Sequence, residues 1–258
     1  MKYMGSKARH AKEILPIILA DRAPGQWYVE PFVGGANVID KVDGNRIGAD
    51  YNPYVAVLWQ AVSSGWVPPD VVTEGEYRDA RRDRLIDART AFIGFGCSYS
   101  GKFFGGYARG DDAKGVARNY CAESKRNILK QAESLRGVQF HHSSYDQLPI
   151  PPNSIIYCDP PYQGTTGYAT GAFDHDKFWQ WCRDRVADGH KVFVSEYTAP
   201  DDFVCVWSRK VNNTLVKDTG SKKGVEKLFV MRGCEPATRQ PDMFIAAPEP
   251  VYKQEGLF

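Results

Sequence analysis

Twice between residues 26 and 53 an apolar run breaks off into a turn of quite different character. "QWYVEPFVGGANV" (26–38) passes from an apolar strand to a glycine pair and then to small residues able to open a helix. "NRIGADYNP" (45–53) is a second short strand that stops at Asp50, with a turn behind it. Strand, glycine turn, helix, strand, acid is the opening of a parallel α/β sheet. The pattern resumes downstream. "GVQFHHSSYD" (137–146) and "NSIIYCDPPY" (153–162) read as two more strands, and "DKFWQWCRDRVADG" (176–189) has helical spacing and a glycine stop. "HKVFVSEY" (190–197) is another buried strand. "VCVWSRKV" (204–211) and "VEKLFVMRG" (225–233) suggest a closing antiparallel pair around a lysine-rich loop.

Residues 60–136 differ in character. Charged helical stretches such as "EYRDARRDRLIDA" flank "FIGFGCSYSGKFFGGYARG" (92–110), which is too rich in glycine to continue a parallel sheet. We read three parts: a catalytic domain of residues 1–59 and 137–235, an inserted, mainly helical module of residues 60–136, and an extended, proline-rich tail of residues 236–258. "ILPIILA" (14–20) is part of an amphipathic first helix, and no segment is long and apolar enough to cross a membrane. The six cysteines are scattered with no C-x-x-C pair, which argues against a zinc site and a disulfide framework. A net charge of +2 announces no polyanionic partner, so the distribution of charge carries the argument.

Glycines after a strand let a backbone approach a ligand closely, and an acid ending the neighbouring strand is placed to accept from ribose hydroxyls. The spacing is not G-x-G-x-x-G, so no pyrophosphate is implied; a nucleoside ligand fits better, with a plain tight turn as the alternative. At "DPPY", Asp159 stands where side chains of a parallel strand face the ligand crevice. Pro160 lacks an N–H but offers its carbonyl, and the two prolines, Pro160 and Pro161, fix the direction of both acceptors. Two fixed acceptors suit an NH₂ group, and Tyr162 offers a face for a base. Drawing both amine hydrogens into hydrogen bonds turns the nitrogen lone pair toward an electrophile, with no covalent enzyme intermediate.

In this order the motifs resemble the Dam-type, alpha-class DNA N6-adenine methyltransferases of bacteria and phages. "YMGSK" (3–7) is similar to the family's amino-terminal aromatic-x-G-x-K element, and "EPFVGGANV" to its glycine motif, with Gly34-Gly35-Ala36 where the commoner form reads G-A-G. "GADYN" (48–52) resembles the acidic strand end, and "DPPY" (159–162) the catalytic motif. The resemblance implies a Rossmann-like methyltransferase sheet, mostly parallel with a closing antiparallel pair. It implies S-adenosylmethionine as methyl donor, held by Tyr3, Lys7, Pro31, Phe32, Gly34, Gly35, Asp50 and Asp159, with Asp159, Pro160, Pro161 and Tyr162 at the substrate amine. Tyr3 stands where the best-known members carry Trp.

The same resemblance makes residues 60–136 a target-recognition domain and double-stranded DNA the partner, with Ser98, Lys102 and Arg109 from the glycine-rich loop at the nucleic acid. That loop departs from the members that read GATC, so that target is not carried over. The lysine cluster of "VKDTGSKKGVEK" makes Lys222 and Lys223 candidates for phosphate contacts, with a solvated lysine-rich hairpin as the alternative. No metal is implied. The expected setting is a cytoplasmic, nucleoid-associated monomer; the sequence leaves open the target site and whether the role is restriction-modification, counter-defence or replication control. In the tail, "QPDMF" (Gln240, Met243, Phe244) and "QEGLF" (Gln254, Leu257, Phe258) resemble the peptide that docks bacterial replication proteins on the sliding clamp. The alternatives are methylation of a cytosine amine or an RNA base, or a catalytically inactive DNA-binding relative.

Overall fold

The computed structural model of the protein describes residues 1, 3–111, 113–163, 173–210 and 225–237. Lys222, Lys223 and the tail positions Gln240, Met243, Phe244, Gln254, Leu257 and Phe258 lie outside the described residues. Seven strands form one sheet: β1 (Tyr28–Glu30), β2 (Arg46–Asp50), β3 (Val138–His142), β4 (Ile155–Cys158), β5 (Lys191–Glu196), β6 (Phe203–Lys210) and β7 (Val225–Met231). Their order is β3-β2-β1-β4-β5-β7-β6. The first five are parallel, and β7 lies antiparallel to both β5 and β6. The protein is thus α/β with a Rossmann-like, mostly parallel sheet closed by an antiparallel pair. From β1 the chain builds outward to β2 and β3 on one side, then returns to β4 and β5 on the other. The β1–β4 boundary is therefore the switch point of the sheet, the place where open α/β sheets bind their ligands.

Alternation along the strands divides the apolar residues between two faces. Tyr28, Ile155, Tyr157 and Phe193 face one core, shared with α1 (Ala11–Ile18), α2 (Pro53–Ser63), α4 (Ala88–Gly96) and α5 (Tyr120–Ser134). Val29, Ile156, Cys158, Val192 and Val194 face the other, closed by α6 (His175–Ala187) through Phe178, Trp179 and Trp181. The remaining helix, α3 (Glu74–Asp83), is opened by a capping box of Thr73 and Glu76 and buries only Tyr77. α2 runs across residue 60, and Phe92, Phe95, Ile128 and Leu135 belong to the same apolar cluster as the sheet residues. No helix among the described residues is long and apolar enough to cross a membrane.

One expectation is corrected. No α-helix opens after the glycine pair; residues 31–45 run as tight turns with a single 3₁₀ turn at Ile39–Lys41. Gly34 and Ala36 both take positive φ, 45° and 52°, which right-handed helix excludes. The chain is also tied down from two sides: Trp59 Nε1 donates to the Gly34 carbonyl at 2.8 Å, and Gln131 Nε2 to those of Gly35 and Ala36 at 3.0 and 2.7 Å. A helix would need those carbonyls for itself.

Candidate active site

The glycine turn follows β1, Asp50 ends β2, and Asp159 follows β4. Because β2, β1 and β4 are neighbours and parallel, all three features meet at one edge of the sheet, at the switch point. Asp50 is bound into this arrangement by backbone. Its Oδ2 accepts from Gly34 N at 3.0 Å and its Oδ1 from Asn52 N at 2.9 Å. Asn52 in turn caps α2, accepting from Tyr54 N with Pro53 in the first turn, so the strand end and the helix start form one rigid corner. Burial pushes the Asp50 carboxyl up to about 6, against the pull of those two amide N–H groups.

The glycine pair makes room for Tyr3. A Cβ on Gly34 would lie 2.9 Å from the Tyr3 ring, and one on Gly35 would lie 2.4 Å from Asn37 Nδ2 and 2.8 Å from Tyr3 Cβ. "YMGSK" and "EPFVGG", distant in sequence, are therefore packed against each other. Pro31 is buried at the exit of β1. Phe32 turns to the opposite face, stacked 5.5 Å from Tyr145 and edge-on to Phe178 of α6 at 5.7 Å. A cradle of this kind, with a backbone that tolerates no Cβ and a carboxylate aimed by amide N–H groups, suits a nucleoside with free ribose hydroxyls.

Lys7 completes the centre. Ser6 caps the short 3₁₀ turn Lys7–Arg9, and the buried Lys7 ammonium donates to Asp159 Oδ1 at 2.9 Å, with Glu226 Oε2 3.6 Å away. It also sits 4.5 Å from the centroid of the Tyr162 ring. Burial raises the Asp159 carboxyl, with Lys7 opposing the shift; burial also works against the Lys7 ammonium, but Asp159 and Glu226 more than offset it and leave it raised. The two stabilise each other's charge in a site where neither would be comfortable alone. Pro160 is buried, Pro161 half-buried, and Tyr162 is fixed at both ends of its ring: its hydroxyl donates to Glu226 at 2.7 Å, and Tyr197 packs edge-on at 4.6 Å.

Two carboxylates escaped the sequence reading. Glu226, in β7, shares Lys7 and anchors Tyr162. Glu196, at the end of β5, is 1 % exposed and accepts from Gln163 N at 2.8 Å and Tyr197 N at 2.6 Å, fixing the path by which the chain leaves the proline turn. A signal for Glu196 was present: "KVFVSEY" is an apolar strand ending in an acid, as are the strands of Asp50 and Asp159. Glu226 carries no such mark, since an acid near the start of a strand beside the sheet edge ordinarily faces water.

The residues expected at nucleic acid are dispersed. Lys102 and Arg109 are exposed, and Arg109 is ion-paired with Glu74. Ser98 is not on the surface: it is 5 % exposed, its hydroxyl 2.7 Å from that of Tyr77 and donating to the Gly94 carbonyl at 2.6 Å, so it holds the loop closed from within.

Residues 3–93 match the family model described as D12 class N6 adenine-specific DNA methyltransferase. Among curated proteins, none matches the chain. The matched segment carries Tyr3, Lys7, the glycine turn and Asp50; the proline turn lies beyond it and enters the site through the fold alone.

Proposed function

We propose, from the match of residues 3–93 to the D12 class N6 adenine-specific DNA methyltransferase model, that the chain moves a methyl group from S-adenosylmethionine to the amine of an adenine drawn out of double-stranded DNA. The observation that carries this reading is the convergence of Asp50, the glycine turn and Asp159 on one sheet edge, with Lys7 paired to Asp159 at 2.9 Å. S-adenosylmethionine, when bound, supplies an electrophilic methyl group on a sulfonium. Gly34 and Gly35 would let it lie against the backbone, Asp50 would accept from its ribose hydroxyls, and Tyr3 and Pro31 would line its sides, with Phe32 supporting the turn from the α6 face.

At the substrate, Asp159 and the Pro160 carbonyl take the two amine hydrogens, which turns the nitrogen lone pair toward the methyl group. Tyr162, held by Glu226 and Tyr197, offers its ring to the base. Lys7 keeps Asp159 ionised, and therefore an acceptor, inside a buried pocket. The nitrogen becomes cationic on accepting the methyl group and loses a proton; an aspartate whose carboxyl is raised by burial is suited to receive it. Extruding the base costs a few kcal/mol, offset by contacts to groove and phosphate from Lys102, Arg109, Lys222 and Lys223.

The test is tritiated methyl transfer to duplex DNA, followed by digestion to nucleosides and identification of the methylated one by mass. N6-methyladenine is the expected product. A methylated cytosine, transfer to RNA alone, or no transfer at all overturns the reading.

A further inference from the structure

The turn between α3 and α4 ends the helix in an unusual way. Arg84 caps α3 in the left-handed conformation at φ 52°, a region a non-glycine side chain enters only under constraint. The constraint comes from the side. The Arg84 carbonyl accepts from the Tyr54 hydroxyl at 2.7 Å, and its guanidinium lies 4.6 Å over the Phe104 ring and 5.2 Å from that of Phe103. Directly after it, Leu85 and Ile86 are each 62 % exposed. A lone exposed aliphatic residue means little, but a fixed adjacent pair beside a stacked arginine is a built projection.

Charge around the projection is sorted rather than balanced. The acids of α3 are engaged: Asp79 and Asp83 with Arg82, Glu76 with Arg89, and Glu74 with Arg109. Among the described residues Arg78, Arg81, Arg84 and Lys102 face solvent without a carboxylate partner. Arg78 and Arg81 are three apart on one helix face, leading to the turn.

A chain of ring contacts also joins the projection to the active-site region. Rings run from Tyr3, over the glycine turn, to Phe95 at 5.5 Å, Phe103 at 4.6 Å and Tyr54 at 4.5 Å. Tyr54 stands in the first turn of α2, two residues from the Asn52 amide that binds Asp50. The turn therefore stands at the same sheet edge as Asp50 and Asp159.

We infer that the Arg84–Leu85–Ile86 turn is a DNA-contacting wedge: Leu85 and Ile86 enter a groove of the duplex while Arg78, Arg81, Arg84 and Lys102 hold the flanking phosphates. This deepens, and rests on, the reading of duplex DNA as substrate. Unpaired cations supply the salt-sensitive part of binding, and an apolar pair supplies a part that salt does not touch.

The experiment separates those parts. Binding of a fluorescein-labelled duplex is followed by polarisation across a salt series for the parent, for Arg81→Gln/Arg84→Asn, and for Leu85→Ser/Ile86→Ser. Asn tolerates the left-handed position, and the apolar pair is exposed, so all forms fold; thermal melts check this. The arginine variant should bind more weakly with a salt slope smaller by about two, one for each phosphate that an arginine no longer holds. The apolar variant should bind about tenfold more weakly with its slope unchanged. S-adenosylmethionine affinity, measured by calorimetry, should be the same in all three. An arginine variant with the parent's slope, or an apolar variant with the parent's affinity, overturns the inference. So does an apolar variant whose only change is a shift to smaller species in sedimentation, which would make the turn a protein contact. A parent that methylates duplex DNA while its variants match it sinks the wedge alone; a parent that neither binds nor methylates DNA sinks the substrate reading with it.

Discussion

The strand tips and the α3–loop region solve opposite problems. At the tips of β1, β2 and β4 the key polar groups are engaged with one another: Asp50 with two backbone N–H groups, Asp159 with Lys7, Tyr162 with Glu226. Around α3 the paired charges lie at the surface, each acid held by an exposed arginine, and four cations are left over. The first arrangement ties each group to a named partner, so that a change at one group leaves another unpaired. The second holds a surface whose individual pairs are weak and exchangeable. Chemistry needs the former, and contact with a long polyanion needs only the latter.

That contrast breaks most easily at Asp159. Asp159→Ala should lower methyl transfer about a thousandfold or more, the scale of losing a preorganised electrostatic contact to the reacting group. The protein should remain folded, because Lys7 keeps Glu226 3.6 Å away. Tritium transfer beside a thermal melt decides it, and substantial activity in the folded variant would contradict the assigned role.

Next in size is the pH response of the donor site. The Asp50 carboxyl is pushed up to about 6 by burial, above the ordinary carboxylate value. Its ionised form is the stronger acceptor for ribose hydroxyls, so S-adenosylmethionine affinity should fall as pH drops below about 6 and level off above it. The stability linkage has the opposite sign. The folded state holds this proton more tightly than the unfolded chain, so the contribution of Asp50 to stability is greatest below the ordinary carboxylate value and declines as pH rises toward about 6. Calorimetry at a series of pH values tests the first statement, with Asp50→Asn expected to flatten the curve. A wild-type affinity that does not change through that range removes Asp50 from the ribose.

Gly35→Ala is smaller but more local. The added Cβ meets Asn37 Nδ2 at 2.4 Å and Tyr3 Cβ at 2.8 Å, and the second of these is too close to main chain to move aside. A loss of about 1–3 kcal/mol in stability is expected, the usual cost of overpacking, together with weaker donor binding. Denaturant unfolding would show it, and an unchanged midpoint would mean that the amino-terminal segment moves freely off the turn.

Legibility followed the same division. Strands that end in acids, the glycine pair and the antiparallel closing pair are patterns within a few residues, and the sheet bears them where expected. What sequence did not convey was tertiary. Whether Ser98 faces out depends on Tyr77, which packs from another helix. Whether Glu226 belongs to the site depends on β7 sliding in beside β5, and whether a helix follows Gly35 depends on Trp59 and Gln131 claiming its carbonyls first. Arg84 looked like one arginine among several; only its seat on Phe103 and Phe104 sets it apart.

The finest test lies on the exposed side. Arg109 is expected at DNA, yet its guanidinium is ion-paired with Glu74. Both partners are well exposed, and pairs of this kind contribute about 0–1 kcal/mol, so Glu74→Gln should leave the melting midpoint almost unchanged. It would, however, release one cation and remove one nearby negative charge. Affinity for duplex DNA should therefore rise by about two- to threefold at low salt, with the gain vanishing as salt screens it. A variant that binds no better at any salt concentration would mean that Arg109 serves the loop rather than the phosphate backbone, and that the cations meeting DNA are those without an acid partner.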